Sequence, residues 1–313
     1  MRRQLKWFVF AIAVFILSTV FITPVSAATS CVFNFVGTRM VLTNNCTTDE
    51  TIVIPQGYTL DGMGRMITAV DPPGGHFVGA VVRNEGTIAH VRNLRVTVSG
   101  LLNVCDGGAD RLRGIMFEGA SGTIINNKVL GVRQVASGCQ EGNSIEVRNE
   151  PFDGTHPNTH YVTIWANTIS DYMKTGIVAN GDVNANIQFN ILTSSANQAN
   201  LAANGIQVGF GALANVRFNI VGGNTWQVND TAAATGILVY DAEDGVVVRN
   251  NKIYNNADVG IYFIAEYGTI SQNIVIESGT DGFYDVGIGN YGIGNVVEHN
   301  IVQGYDIPYE EDF

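Results

Sequence analysis

A two-part motif recurs along this chain at intervals of 22 to 40 residues, and no other feature narrows the possible folds as much. The first part is a glycine followed by an apolar residue at the start of an alternating run: Gly114-Ile115, Gly176-Ile177, Gly205-Ile206, Gly236-Ile237, Gly260-Ile261 and Gly282-Phe283, with a degenerate copy at Ser144-Ile145-Glu146-Val147. The second part is an asparagine that closes one alternating run and opens another, at Asn127, Asn167, Asn190, Asn219, Asn251, Asn273 and Asn300. The two parts interleave in strict order. The short copies hold about three brief strands of period-2 alternation with turns between them. No copy can bury its apolar face alone, so copies must stack strand on strand at about 4.8 Å around a shared interior. Ile177, Ile206, Ile237 and Ile261 are then expected to form an inward ladder. The asparagines form a second ladder, at a sharp turn where a left-handed backbone and side-chain amide bonding both suit Asn.

Composition agrees with strands and turns. Charged residues are 14% of the chain, there are 36 Gly, and apolar content is 46%, too high for disorder and ample for a core. The pattern resembles the right-handed parallel β-helix repeat proteins, the superfold shared by pectate and pectin lyases, polygalacturonases, chondroitinase B-like lyases and C5-epimerases. The resemblance covers roughly residues 80–303. It implies an all-β, single-stranded, right-handed parallel β-helix with an N-terminal cap. The cap and first coils fall over 28–79, where Leu42–Val70 looks like the start of such a stack, and 304–313 form a C-terminal tail. This architecture hosts many activities, so the repeat specifies fold far more than function.

The first 27 residues read as a signal peptide. Arg2, Arg3 and Lys6 precede the apolar run Trp7–Ile22, and Val25-Ser26-Ala27 offers a small-residue cleavage site. The competing reading, a membrane anchor, fits less well because the run is short and Pro24 follows it. The chain is therefore expected to be secreted, without stable membrane insertion after cleavage, and monomeric. Cleavage takes the net charge from −11 to −14 and leaves no basic cluster to follow a phosphate backbone, which argues against nucleic acid as partner. The four cysteines of an exported chain suggest two disulfides. Three pairings are possible, and proximity favours Cys31–Cys46 and Cys105–Cys139. No Cys-x-x-Cys or Cys/His cluster supports zinc.

Insertions identify a working face. Four long segments flank the Gly-Ile strands: residues 132–143, 149–160, 193–204 and 222–235. Insertions gathered on one face of a solenoid usually mark where it binds, and the resemblance places the cleft over the same strand. Alternation turns Met116, Glu146, Val178, Gln207, Leu238, Tyr262 and Tyr284 outward two residues after each Gly. Glu118, Arg148, Asn180, Gly209, Tyr240 and Ile264 follow two residues later. Lys174 should face outward as well, with Asp153, His156 and His160 nearby on an insert.

Removal of a proton next to a sugar carboxylate needs a base and a cation that neutralises the carboxylate. Arg148 and Lys174, two of the few cations, are the candidates, with Glu146 beside them as a third catalytic residue. The competing reading has Arg148 only bridging Glu118 and Glu146, as surface ion pairs commonly do. Glu118, Asn180, Gln207, Tyr240, Tyr262 and Tyr284 would bind substrate, the tyrosines as a shelf for sugar rings or simply as a cross-strand ladder. The expected function is thus a carbohydrate-active protein, a polysaccharide lyase or epimerase of acidic polysaccharides. The alternative is a non-catalytic glycan-binding or structural protein of the cell surface. Hydrolysis would use paired carboxylates, Glu118 with Glu146 or Asp241 with Glu243 and Asp244, and ranks lower. No cofactor is expected. Calcium is the one candidate ion, through the carboxylates of Tyr240–Gly245, which a solvated turn explains equally well. His156 and His160 would pair on a metal only in a helix, and Pro157 argues against one. Gly287-Ile288-Gly289-Asn290-Tyr291-Gly292 matches a dinucleotide fingerprint in letters only, since no helix follows.

Overall fold

The computed structural model describes residues 29–134, 138–150, 158–194, 201–226, 232–255, 257–278 and 285–311. The signal segment, Asp153, His156, Gly282-Phe283 and Tyr284 lie outside the described residues.

Among the described residues the strands form three sheets of 11, 10 and 10 strands, and after the first strand each sheet takes every third strand of the chain. One sheet contains the Gly-Ile strands Arg113–Glu118, Asn143–Asn149, Thr175–Gly181, Asn204–Gly209, Thr235–Tyr240 and Val259–Ile264. Its neighbours are parallel and in register, so Ile115, Ile145, Ile177, Ile206, Ile237 and Ile261 stack one above another. All six are fully buried in one core that runs from Met40 to Tyr305. The chain is a parallel β-helix, as the repeat requires.

Glycine stands second in five of these six strands because the corner has no room for a side chain. A Cβ on Gly236 would lie 2.5 Å from the carbonyl oxygen of Gly260 and 2.7 Å from Ile253 Cγ2. The one copy without glycine places Ser144 in this column, fully buried, with its hydroxyl lacking a hydrogen-bond partner.

The asparagine ladder holds the opposite corner. Asn190 Oδ1 accepts from the backbone N–H and the side-chain amide of Asn167, each at 2.9 Å. Asn190 Nδ2 donates to Ile164 O and to Asn219 Oδ1, each at 3.0 Å. The same pattern links Asn127, Asn167, Asn190, Asn219, Asn251, Asn273 and Asn300 in one chain of amides. The left-handed residue is not the ladder asparagine, as expected from sequence, but the one before it. Asn126, Ala166, Phe189, Phe218, Asn250, Gln272 and His299 have φ between 53° and 58°. The chain reverses at that residue, which frees the asparagine to send its side chain inward.

The two ends of the stack are built differently. Phe33–Val36 folds back antiparallel on Arg39–Leu42 and covers the edge of one sheet, stapled by the Cys31–Cys46 disulfide. Parallel stacking begins immediately afterwards, with Cys46 opposite Ile67, so most of 28–79 already belongs to the stack. At the other end Ile307–Glu311, within the segment expected as a tail, adds a further strand beside Val286–Asn290. The last Gly-Ile strand is also displaced. Ile288 stacks on Ile261 and Gly289 lies opposite Tyr262, so Gly287-Ile288 occupies the register position expected of Gly282-Phe283, and Gly289 that of Tyr284. Gly260 to Gly287 is 27 residues, the same interval as Asn273 to Asn300.

Two substitutions test this architecture. Asn219→Ala should leave Ile187 O, the Asn190 amides and Asn251 Oδ1 each short of a partner inside the protein. That should cost about 3 kcal/mol, rather than the ~1 kcal/mol of one lost turn bond. Urea unfolding that shows a loss below 1 kcal/mol would refute the ladder's role. Ile206→Asp should cost several kcal/mol or abolish folding, read by thermal melting, because it buries an unpaired carboxylate.

Candidate functional site

A cleft of about 460 Å3 opens on the Gly-Ile sheet, over the strands Asn143–Asn149, Thr175–Gly181 and Asn204–Gly209. Arg111, Glu146, Arg148, Lys174, Asn180 and Gln207 are among its lining residues. Alternation and parallel register place the outward side chains here: Glu118, Arg148 and Asn180 are adjacent in one column, Glu146, Val178 and Gln207 in the next.

One wall is built from two loops fastened together. The Cys105–Cys139 disulfide joins residues 101–112 to the loop before Ser144. Glu141, fully buried, reinforces the joint by accepting the backbone N–H of Asp106 at 2.7 Å and that of Leu112. Burial pushes the Glu141 carboxyl above the usual range, against the two N–H donors that favour its charged form. Gln134 Nε2 adds a bond to Val104 O at 2.8 Å.

Charge in the cleft divides into a locked part and an available part. Arg113, 1% exposed, donates to both oxygens of Glu146, at 2.5 Å and 3.4 Å. Its Nη1 donates to the carbonyls of Ala109 and Arg111 and its Nη2 also to that of Gly108, which fixes the loop that carries Arg111. Asn143 Nδ2 donates to Glu146 at 2.8 Å. Arg148 bonds Glu118 at 2.5 Å and Glu150 at 2.8 Å, and sits 3.7 Å from Glu146. Its side chain is 4% exposed, so this is a buried network and not the surface pair weighed from sequence. Arg148 and Glu146 are therefore already satisfied by protein partners, although the cleft beside them is open.

Lys174 and Arg111 differ. Lys174 Nζ donates to Ala202 O at 2.6 Å, and no carboxylate pairs with it among the described residues. Burial, with a smaller contribution from the positive Arg111, pulls its ammonium down to about 8. Arg111 donates from Nε to Asp106 O at 3.4 Å and likewise pairs with no carboxylate among the described residues. Sequence reasoning missed Arg111 and Arg113 because it did not count residues 101–112 among the insertions. Cys105 within that stretch was the available signal.

The remaining candidates scatter. Asn180 and Gln207 bond each other at 3.2 Å in the cleft. Tyr240 does not join a shelf with Tyr262. Its ring meets Phe210 edge-on at 6.2 Å, whereas Tyr262 packs on Tyr291 at 4.8 Å. Burial raises the Tyr262 phenol, and Tyr240 and Glu310 add to the effect. Tyr291 in turn donates to Glu310 at 2.5 Å. His160 opens a strand of the neighbouring sheet, 3.4 Å from Ser121 Oγ. Asp241, Glu243 and Asp244 are exposed on a turn. No three His, Cys, Asp or Glu residues converge as metal ligands among the described residues. No helix among them is long and apolar enough to cross a membrane.

Comparison with known proteins gives the following. No curated protein matches the chain by sequence. Among solved structures, the Dettilon tailspike protein gp208 is similar with a TM-score of 0.52 at 13% identity. The match covers 85% of this chain and 55% of the tailspike chain, so this chain spans little more than half the tailspike's length, and the likeness is one of fold. Two mutants of the periplasmic alginate epimerase AlgG give TM-scores of 0.24 and 0.26 at 9% and 10% identity. These cover 88% and 90% of this chain, and 85% and 80% of theirs. The model of the family described as "Right handed beta helix region" matches residues 113–306, more than half of the sequence. With its three stacked parallel sheets and its in-register repeat, the chain belongs to the right-handed β-helix family.

Proposed function

We propose that this protein is an exported, carbohydrate-active β-helix protein that eliminates or epimerises at a uronic acid unit of an acidic polysaccharide. One observation carries the reading: a lysine with its pKa brought down to about 8 shares an open cleft with an arginine that forms no ion pair among the described residues. The two disulfides fit an oxidising compartment, in keeping with export.

The chemistry needs a base and a charge stabiliser. In its neutral form Lys174 Nζ takes the proton from the carbon next to the sugar carboxylate. Arg111 holds the carboxylate as negative charge builds on it. In elimination the electron pair of the broken C–H bond forms the double bond and the neighbouring C–O bond breaks, with the Lys174 ammonium able to protonate the leaving oxygen. In epimerisation a water molecule on the opposite face gives a proton to the same carbon, and Lys174 keeps the one it removed. Glu146, Arg148 and Glu118 act as the frame: their mutual bonds hold the floor of the cleft, and Arg113 ties that frame to Arg111.

A second reading, non-catalytic glycan binding, draws on the closed state of the Glu146 and Arg148 network, which leaves fewer groups for chemistry than the sequence suggested. A panel of acidic polysaccharides separates the two. Elimination is read by ultraviolet absorbance of the unsaturated product, epimerisation by solvent deuterium entering the sugar. Lys174→Ala and Arg111→Ala should each lower turnover by about 100-fold or more while the melting temperature holds. Absence of turnover on every substrate, with only few-fold losses of binding in both variants, would leave the binding reading.

The titration is a separate check. The Lys174 amine is protonated below about pH 8 and neutral above it, so base-dependent turnover should rise with pH through that value. Nitrogen NMR of labelled lysine should show one side chain titrating near 8 and missing from Lys174→Ala. A Lys174 midpoint above 10 would remove it as the base.

A further inference from the structure

A second cavity of about 450 Å3 adjoins the cleft, and Phe210 lines both. It lies where the Gly-Ile sheet turns into its neighbour, bounded by Thr159, Tyr161, Asp182, Asn184 and Glu243 as well as Phe210. Both volumes fall in the ~300–1,000 Å3 typical of small-molecule sites.

Phe210 is held in place against local preference. It has φ +52°, a left-handed conformation that a bulky residue rarely adopts, and Gly211 follows at +85°. The turn survives because Phe210 N–H donates to Tyr240 O at 3.3 Å and Gly211 N–H to Asp241 O at 2.7 Å, while the Tyr240 ring braces the Phe210 ring edge-on. Backbone strain of this kind persists where the surroundings impose it, here as at the other corners of the stack. Its effect here is an aromatic ridge between the two cavities.

The cavities have opposite electrostatics. The first carries Arg111 and Lys174, which form no ion pair among the described residues. The second is lined by two carboxylates, Asp182 and Glu243, and by no Lys or Arg among the described residues. A sugar carboxylate suits the first and is repelled by the second, whereas sugar hydroxyls can donate to Asp182 and Glu243.

We propose that the two cavities are adjoining subsites of one groove divided by the Phe210 ridge, and that they select a heteropolymer with an acidic sugar in the first and a neutral sugar in the second. This rests on the glycan reading above and adds the repeat composition that the groove accepts. A sugar ring passing the ridge packs its apolar face on Phe210.

Calorimetry on the full chain tests it with three probes: a free uronic acid, an all-uronate tetrasaccharide, and a tetrasaccharide alternating uronate with neutral hexose. The alternating probe should bind at least ~10-fold tighter than the all-uronate one, and Asp182→Asn with Glu243→Gln should narrow that gap. Phe210→Leu should weaken the alternating tetrasaccharide ~10-fold and the free uronic acid far less, and Phe210→Tyr, which keeps an aromatic ring on the ridge, should retain most of the tetrasaccharide affinity. Equal affinity for the two tetrasaccharides, or tetrasaccharide binding indifferent to Phe210→Leu, overturns the proposal. If binding still falls with Lys174→Ala in that case, the glycan reading survives without it. If no uronate probe binds, both fall together.

Discussion

The buried amide chain from Asn127 to Asn300 is the interaction on which the rest depends. A parallel β-helix must turn its backbone inward at every coil, and each turn threatens to bury peptide groups without partners. One asparagine side chain per coil removes that threat, because it accepts from the coil on one side and donates to carbonyls and amides around it. The bonds are mutual, so deleting one member strands groups on several coils. The same ladder explains why the preceding residue can be almost anything. Phe189 and Phe218 both sit at φ near +57°, exposed, with their rings stacked at 5.0 Å. Local propensity would have chosen Asn or Gly there, and the ladder overrides it.

With the corners fixed, the coils tolerate loops of very different length, and the loops create the cleft. The Cys105–Cys139 link, the Glu141 carboxylate and the Arg113 side chain bind one wall to the sheet beneath. Long side chains on that wall are then presented by a rigid base rather than a free loop. Glu146, Arg113, Arg148 and Glu118 form a buried polar network whose value is geometric, since buried ion pairs contribute little net stability but fail badly when one partner is lost. The network absorbs two of the cleft's cations and leaves the other two, Arg111 and Lys174, without an ion pair among the described residues.

Fold and register were legible in the sequence because a stack of coils repeats its constraints. Gly-Ile and Asn recur for steric and hydrogen-bonding reasons that apply identically in each coil, so their interval alone dictates three sheets, the inward isoleucine ladder and the outward columns. The cysteine pairing was legible too, from proximity along the chain. Even the displaced final strand was available in the 27-residue interval shared by Gly260–Gly287 and Asn273–Asn300, although Gly282-Phe283 imitated the motif locally.

What only the tertiary structure decided is which outward groups remain available. Alternation puts Arg148 beside Glu118 and Glu146, the bridge weighed from sequence, but does not say that Glu150 joins them or that the arginine is buried. It says nothing of Arg111, whose position comes from a disulfide and from carbonyl bonds made by a different arginine. Tyr240 and Tyr262 share outward direction yet pair with Phe210 and Tyr291, because ring contacts depend on loop and turn residues outside the repeat. A periodic sequence determines the direction of each side chain. The partners it meets are set by the aperiodic insertions, and those acquire a location only when the coils beneath them are stacked.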